Sequence, residues 1–175
     1  MNTVPVHLPY GEELLNFEIP ANNLLAIGSP RPVSPCLDPV EEIRRALANP
    51  IGTPRLSEAV RRAGSTVILA DDMTRLTPVE LLVPALLDEL NLGGVRDDQV
   101  TVVIALGTHR PMTEGEIITH FGQEVVERVR VINNPWQESD AMVDLGVTSR
   151  GTPVAVSRVV LEAGFLIGVG SIGPH

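Results

Sequence analysis

The chain has 175 residues, 43% hydrophobic and 20% charged, the composition of one folded domain able to bury a core rather than of a disordered segment. A formal charge of -9 and an isoelectric point of about 4.8 argue against nucleic acid, whose binders present basic stripes. They leave room for a small anion, since one well-placed arginine can bind a carboxylate inside an acidic protein.

The single cysteine, Cys36, has no internal disulfide partner, and no Cys/His cluster has zinc-ligand spacing, so no metal site is expected from these residues. The first twenty residues lack the basic and apolar regions of a signal peptide. Apolar runs are too short to span a bilayer. A soluble cytoplasmic domain is the expectation, with no nucleic-acid or membrane partner.

In chain order, apolar residues at Val4, Val6 and Leu8, then Leu15, Phe17 and Ile19, flank Tyr10-Gly11 and predict a β-hairpin. Residues 29–39 form a Pro-rich connector. Asp38-Pro39-Val40-Glu41 starts a helix with an N-cap, a proline at its first position and a glutamate at its third. A second helix is expected from Thr53-Pro54 to Ala63-Gly64.

From residue 65 strands and helices alternate. Residues 65–70 read as a strand. Thr77-Pro78-Val79-Glu80 then begins a helix with apolar positions at 79, 82, 83, 86 and 90, kinked by Pro84 and ended by Gly93-Gly94. Residues 100–106 are the next strand. Thr113 caps one helix carrying Ile117, Phe121, Val125 and Val129. Residues 129–132, 141–147 and 165–169 are further strands, and 154–160 reads either way. The pattern predicts an α/β domain spanning 1–175: a mostly parallel, Rossmann-like sheet with helices on both faces, preceded by the hairpin.

Ligands of such sheets bind outside the carboxyl ends of the strands, which directs attention to the residues after each strand. Asp71, Asp72, Thr74 and Arg75 follow the first. Gly107, Thr108, His109 and Arg110 follow the second, and Gly170 to His175 the last. Two histidines facing one crevice suit acid–base work near neutral pH.

Each residue also has a plainer reading. His109 could bond a loop carbonyl, and His175 could belong to a frayed terminus. Arg75 could bind a carboxylate or phosphate, or pair with Asp71 or Asp72. Asp72 could hold a sugar hydroxyl, orient Arg75, or bond its own backbone. Thr77 reads as an N-cap, His120 as a solvated helix residue, and His7 as a structural or exposed residue of the hairpin. Gly168-Val-Gly170-Ser-Ile-Gly173 spells a dinucleotide fingerprint, but no helix follows it within these residues, so a dinucleotide is not expected.

The stretches LPYG (8–11), NPIG (49–52), DDMTR (71–75), ALGTHRP (105–111), DLG (144–146) and GSIGPH (170–175) together resemble the nickel-dependent lactate racemase family, specifically its N-terminal domain. The resemblance implies racemisation or epimerisation of a lactate-like 2-hydroxy acid. It also implies a nickel-pincer pyridinium-3,5-bisthiocarboxylic acid mononucleotide as hydride acceptor. It makes His109 and His175 the two catalytic acid–base histidines, one per enantiomer. Asp72, Met73, Thr74 and Arg75 become the cofactor-binding loop, with Arg75 also binding substrate. Leu76, Asn134 and Gly164 stand where proline, histidine and aspartate are common in relatives, which bears on which 2-hydroxy acid is used. A lysine that attaches the cofactor, a nickel-binding histidine and a C-terminal domain lie beyond these residues in the family, so the fragment alone is expected to be inactive. The rival reading, from fold alone, is a non-catalytic small-ligand or nucleotide-binding domain.

Overall fold

The computed structural model describes residues 2–29 and 31–172, and the chain divides into two compact units, Met1–Pro35 and Cys36–His175. In the first unit, β1 (Thr3–Tyr10) and β2 (Glu13–Pro20) form an antiparallel hairpin. Gly11 supplies the left-handed turn conformation, with φ of 63°. The apolar alternation sets the register: Val4 lies opposite Ile19, Val6 opposite Phe17 and Leu8 opposite Leu15. His7 also sits opposite Asn16, and its Nδ1 lies 2.5 Å from the Asn16 Oδ1.

The second unit opens with α1 (Pro39–Ala48), where Asp38 Oδ1 accepts from the backbone N–H groups of Val40 and Glu41, both at 3.0 Å. The helix expected over 53–63 is a single turn, α2 (Leu56–Ala59). Its start, Arg55, has no side-chain cap, and its residues are pressed against the end of the next helix. A Cβ on Gly93 would lie 2.5 Å from Val60 Cγ2 and 2.7 Å from the Ser57 carbonyl oxygen.

Then come β3 (Thr66–Ala70), α3 (Val79–Leu92, with Pro84 inside it) and β4 (Val100–Ile104). The helix expected to run unbroken past residue 121 is two: α4 (Glu114–Phe121) and α5 (Gln123–Arg128). Gly122 separates them with φ of 83°, which no right-handed helix contains. The break leaves Phe121 and Val125 both fully buried. β5 (Arg130–Asn133) follows. The ambiguous stretch is β7 (Pro153–Ser157), paired antiparallel with β6 (Met142–Val147), running directly into α6 (Arg158–Leu161). β8 (Phe165–Val169) is the last strand.

β5, β4, β3 and β8 make a four-stranded parallel sheet in that order, flanked by helices. Ile68, Ala70, Val102 and Ile104 join Val79, Val83, Leu87, Leu90, Phe121 and Val125 in one apolar core. Val67 and Val103, of opposite parity along their strands, are buried as well, which is why these strands read as continuous apolar runs. Numbered by chain order within the sheet, the strands lie third, second, first, fourth. The order therefore reverses between β3 and β8, the place where such sheets open a crevice.

Candidate active site

β3 pairs with β4 and β8 so that Ala70 is level with Ile104 on one side and Val169 on the other. The described residues that follow all three strands therefore emerge at one edge of the sheet. After β3 the chain turns tightly: the Arg75 N–H donates to the Asp72 carbonyl at 3.1 Å. Asp72 Oδ1 accepts from the Thr74 N–H at 3.1 Å and from the Thr74 hydroxyl at 2.6 Å.

The other oxygen, Oδ2, meets His109 Nδ1 at 2.5 Å. Asp72 is only 4% exposed. Burial by itself raises its carboxyl pKa, but the hydrogen bonds from Thr74 and His109 outweigh burial and hold it below the ordinary carboxylate value. An ionised carboxylate only accepts, so the proton between them sits on Nδ1. In the neutral ring the lone pair is then on Nε2, on a side chain that is 48% exposed.

The β4 side of the site is equally built. Gly107, at φ of 57°, lets the chain reverse so that the His109 N–H donates to the Leu106 carbonyl at 2.9 Å. Asn133, the last residue of β5, then clamps the loop from outside. Its Oδ1 accepts from the Met112 N–H and its Nδ2 donates to the Met112 carbonyl, both at 2.9 Å. Arg110 turns away from the site to Glu116, at 2.6 and 2.9 Å.

Asp71, Asp72, Arg75 and residues 105–109 line a cavity of about 360 Å³. The Arg75 side chain makes no ion pair among the described residues. A larger groove of about 570 Å³ runs between α1 and α3, but its arginines are already engaged, Arg44 by Glu41 and Arg55 by Glu89.

With the fold and this cavity in view, the model of the lactate racemase N-terminal domain matches residues 10–175. The chain belongs to that family. It is 31% identical over 172 residues to the lactate racemase of Thermoanaerobacterium thermosaccharolyticum, covering 97% of this chain and 40% of that protein. To the lactate racemase of Lactiplantibacillus plantarum it is 28% identical over 174 residues, covering 98% and 41%. The structure of the Thermoanaerobacterium apoprotein superposes with a TM-score of 0.75 at 28% identity over 94% of this chain and 38% of that one. The chain thus spans about two fifths of the length of these relatives.

Within this member of the family, Asp72, Arg75 and His109 share one cavity, and Thr74 locks Asp72. Met73 points elsewhere, into a groove with Thr113, Gly115, Glu116, Thr119 and His120. His175 lies outside the described residues. Gly168, the first glycine of the fingerprint pattern, lies inside β8, level with Leu69, in the strand expected over 165–169. Thr77 does not cap α3. Its hydroxyl donates to Asp71 Oδ2 at 2.7 Å, and Pro78 occupies the cap position. His120 is half-buried rather than solvated, with Nε2 3.1 Å from the Asp71 carbonyl oxygen.

Among the described residues no group of three or more His, Cys, Asp or Glu could hold a metal ion, and no helix is long and apolar enough to cross a membrane.

Proposed function

We propose that the full-length protein is a racemase or epimerase of a small 2-hydroxy acid such as lactate, and that this domain supplies one of its acid–base groups. The observation carrying the proposal is the Asp72–His109 pair opening onto the same cavity as Arg75, which makes no ion pair among the described residues. A substrate carboxylate matches the planar fork of Arg75. Its 2-hydroxyl then meets His109 Nε2, which removes the hydroxyl proton, while ionised Asp72 stabilises the imidazolium that forms. Return of that proton completes the cycle. His175, which follows β8 in the sequence and lies outside the described residues, is the proposed counterpart for the opposite enantiomer.

The donor set around the cavity suits a phosphate-bearing mononucleotide: the guanidinium of Arg75, the exposed Thr108 hydroxyl and the Gly107 backbone, which no side chain shields. The Thr74 hydroxyl spends its proton on Asp72 and so is left to accept from a ribose hydroxyl. The nickel-pincer mononucleotide, when bound, supplies the hydride acceptor that this chain's side chains lack. The described residues hold no group that could bind the nickel, and its attachment is assigned in this proposal to the rest of the full-length protein.

The test is stereochemical. Full-length protein produced with its cofactor is offered each lactate enantiomer and related 2-hydroxy acids, and interconversion is followed by chiral chromatography. The expected outcome is interconversion in both directions that fails in His109→Gln. Tight binding of a 2-hydroxy acid without turnover would instead make this a binding domain.

A further inference from the structure

Asp71 immediately precedes the residue that holds His109, and the chemistry above makes no use of it. It is nonetheless fixed from three directions. Its main-chain carbonyl accepts from His120 Nε2 on α4 at 3.1 Å. Its Oδ2 accepts from the hydroxyl of buried Thr77, just before α3, at 2.7 Å. On the third side Gly170, the residue after β8, approaches so closely that a Cβ there would lie 3.3 Å from Oδ2.

The carbonyl of residue 71 and the N–H of residue 72 share one rigid peptide plane. Fixing that carbonyl fixes the direction in which the Asp72 side chain leaves the backbone. A hydrogen bond such as Asp72–His109 tolerates displacements of only a few tenths of an ångström before it weakens. His120 is itself steadied, its ring edge-on to the fully buried Phe121 ring at 5.0 Å between centroids. A carbonyl only accepts, so Nε2 of His120 carries a proton and donates. His120 faces the Met73 groove and is absent from the cavity lined by Asp72, Arg75 and His109.

We infer that His120 and Thr77, acting through Asp71, are positioning residues that hold Asp72 where it fixes the Nδ1–H tautomer of His109, leaving Nε2 free as the base. The inference rests on the proposed role of the Asp72–His109 pair.

The full-length protein labelled with ¹⁵N-histidine reports the tautomer directly at alkaline pH through long-range ¹H–¹⁵N correlations, with His109→Gln assigning the signal. The wild type is expected to show His109 as Nδ1–H alone. His120→Ala is expected to show both tautomers and to lose about ten-fold in kcat with little change in KM. His120→Gln, whose amide can donate to the same carbonyl, is expected to retain the wild-type spectrum and rate. Thr77→Val removes the second anchor at equal volume and carries the test if His120→Ala fails to fold by circular dichroism. A mixed tautomer in the wild type would overturn the role of the pair itself. A single tautomer in the wild type and in both anchor variants would leave the pair standing and overturn the positioning. So would a His120→Gln spectrum matching that of His120→Ala.

Discussion

Asp72 and Glu89 are both 4% exposed carboxylates, each held ionised by a cationic or donor partner far away in sequence. Glu89 takes two parallel bonds from Arg55, Nε at 2.6 Å and Nη2 at 2.8 Å, and a third from the Ser57 N–H at 3.3 Å. Those bonds, Arg55 foremost, pull its carboxyl down to about 2 against the opposing effect of burial. The arrangement ties the entry of α2 to α3. Arg55 never gives up its proton, so this pair is fixed in charge and can only staple. The partner of Asp72 is an imidazole with a second nitrogen facing a cavity, which can gain and lose a proton while the first stays held. Burial and a depressed pKa are common to both sites. The chemistry of the partner separates them.

The sharpest way to break that contrast is His109→Gln in the full-length protein. Turnover should fall about 10³-fold, while the thermal midpoint should hardly move because the ring is half in water. Retained turnover would put His109 in the same class as Arg55. Asp72→Asn should follow with a loss of roughly 10²–10⁴-fold in kcat, because an amide no longer enforces the Nδ1–H tautomer. Steady-state kinetics at saturating substrate measures it.

Glu89→Gln should do the opposite, costing roughly 2–3 kcal/mol in urea unfolding while leaving turnover within about two-fold. The cost stays below that of a fully buried pair because Arg55, at 43% exposure, returns to water. Glu89 also predicts a pH dependence. Its folded value, about 2, lies below its ordinary 4.5, so its contribution is complete above pH 4.5 and is lost as pH falls toward 2. The urea midpoint of the wild type should therefore drop more steeply on acidification than that of Glu89→Gln. The depressed Asp72 acts in the same direction and remains in both proteins. The smallest effect is expected from Thr113→Ala. It removes a capping box in which the Thr113 hydroxyl accepts from the Glu116 N–H at 3.3 Å and Glu116 accepts from the Thr113 N–H at 2.8 Å. About 1 kcal/mol of stability should go, with the site untouched.

What could be read from the sequence was local. Asp38 and Thr113 mark helix starts because a short polar side chain satisfies backbone donors only two or three residues away. β8 has the expected bounds because its apolar run is flanked by glycines. Thr77-Pro78 offered the same capping pattern and misled: the Thr77 hydroxyl is turned to Asp71, to which it donates, and α3 has no side-chain cap. Gly122 carried the signal for the broken helix, but a lone glycine in a helical pattern is often tolerated.

The site was legible as a set of strand ends and illegible as a set of bonds. Asp72 and His109 are 37 residues apart, and only the β3–β4 register brings them together. Pairing those strands as parallel neighbours beforehand would have pointed to the contact. Asn133 and His120 gave no such signal, because each acts on a backbone group rather than on a side chain.

The register of β3 against β4 has a consequence for the newly made chain. On a ribosome β3 emerges well before β4, and until the two strands zip together His109 is an ordinary imidazole exchanging its proton between both nitrogens. The pairing of β3 with β4 is then also the step that brings Asp72 to His109, so a copy in which those strands fail to pair carries the histidine without its carboxylate partner.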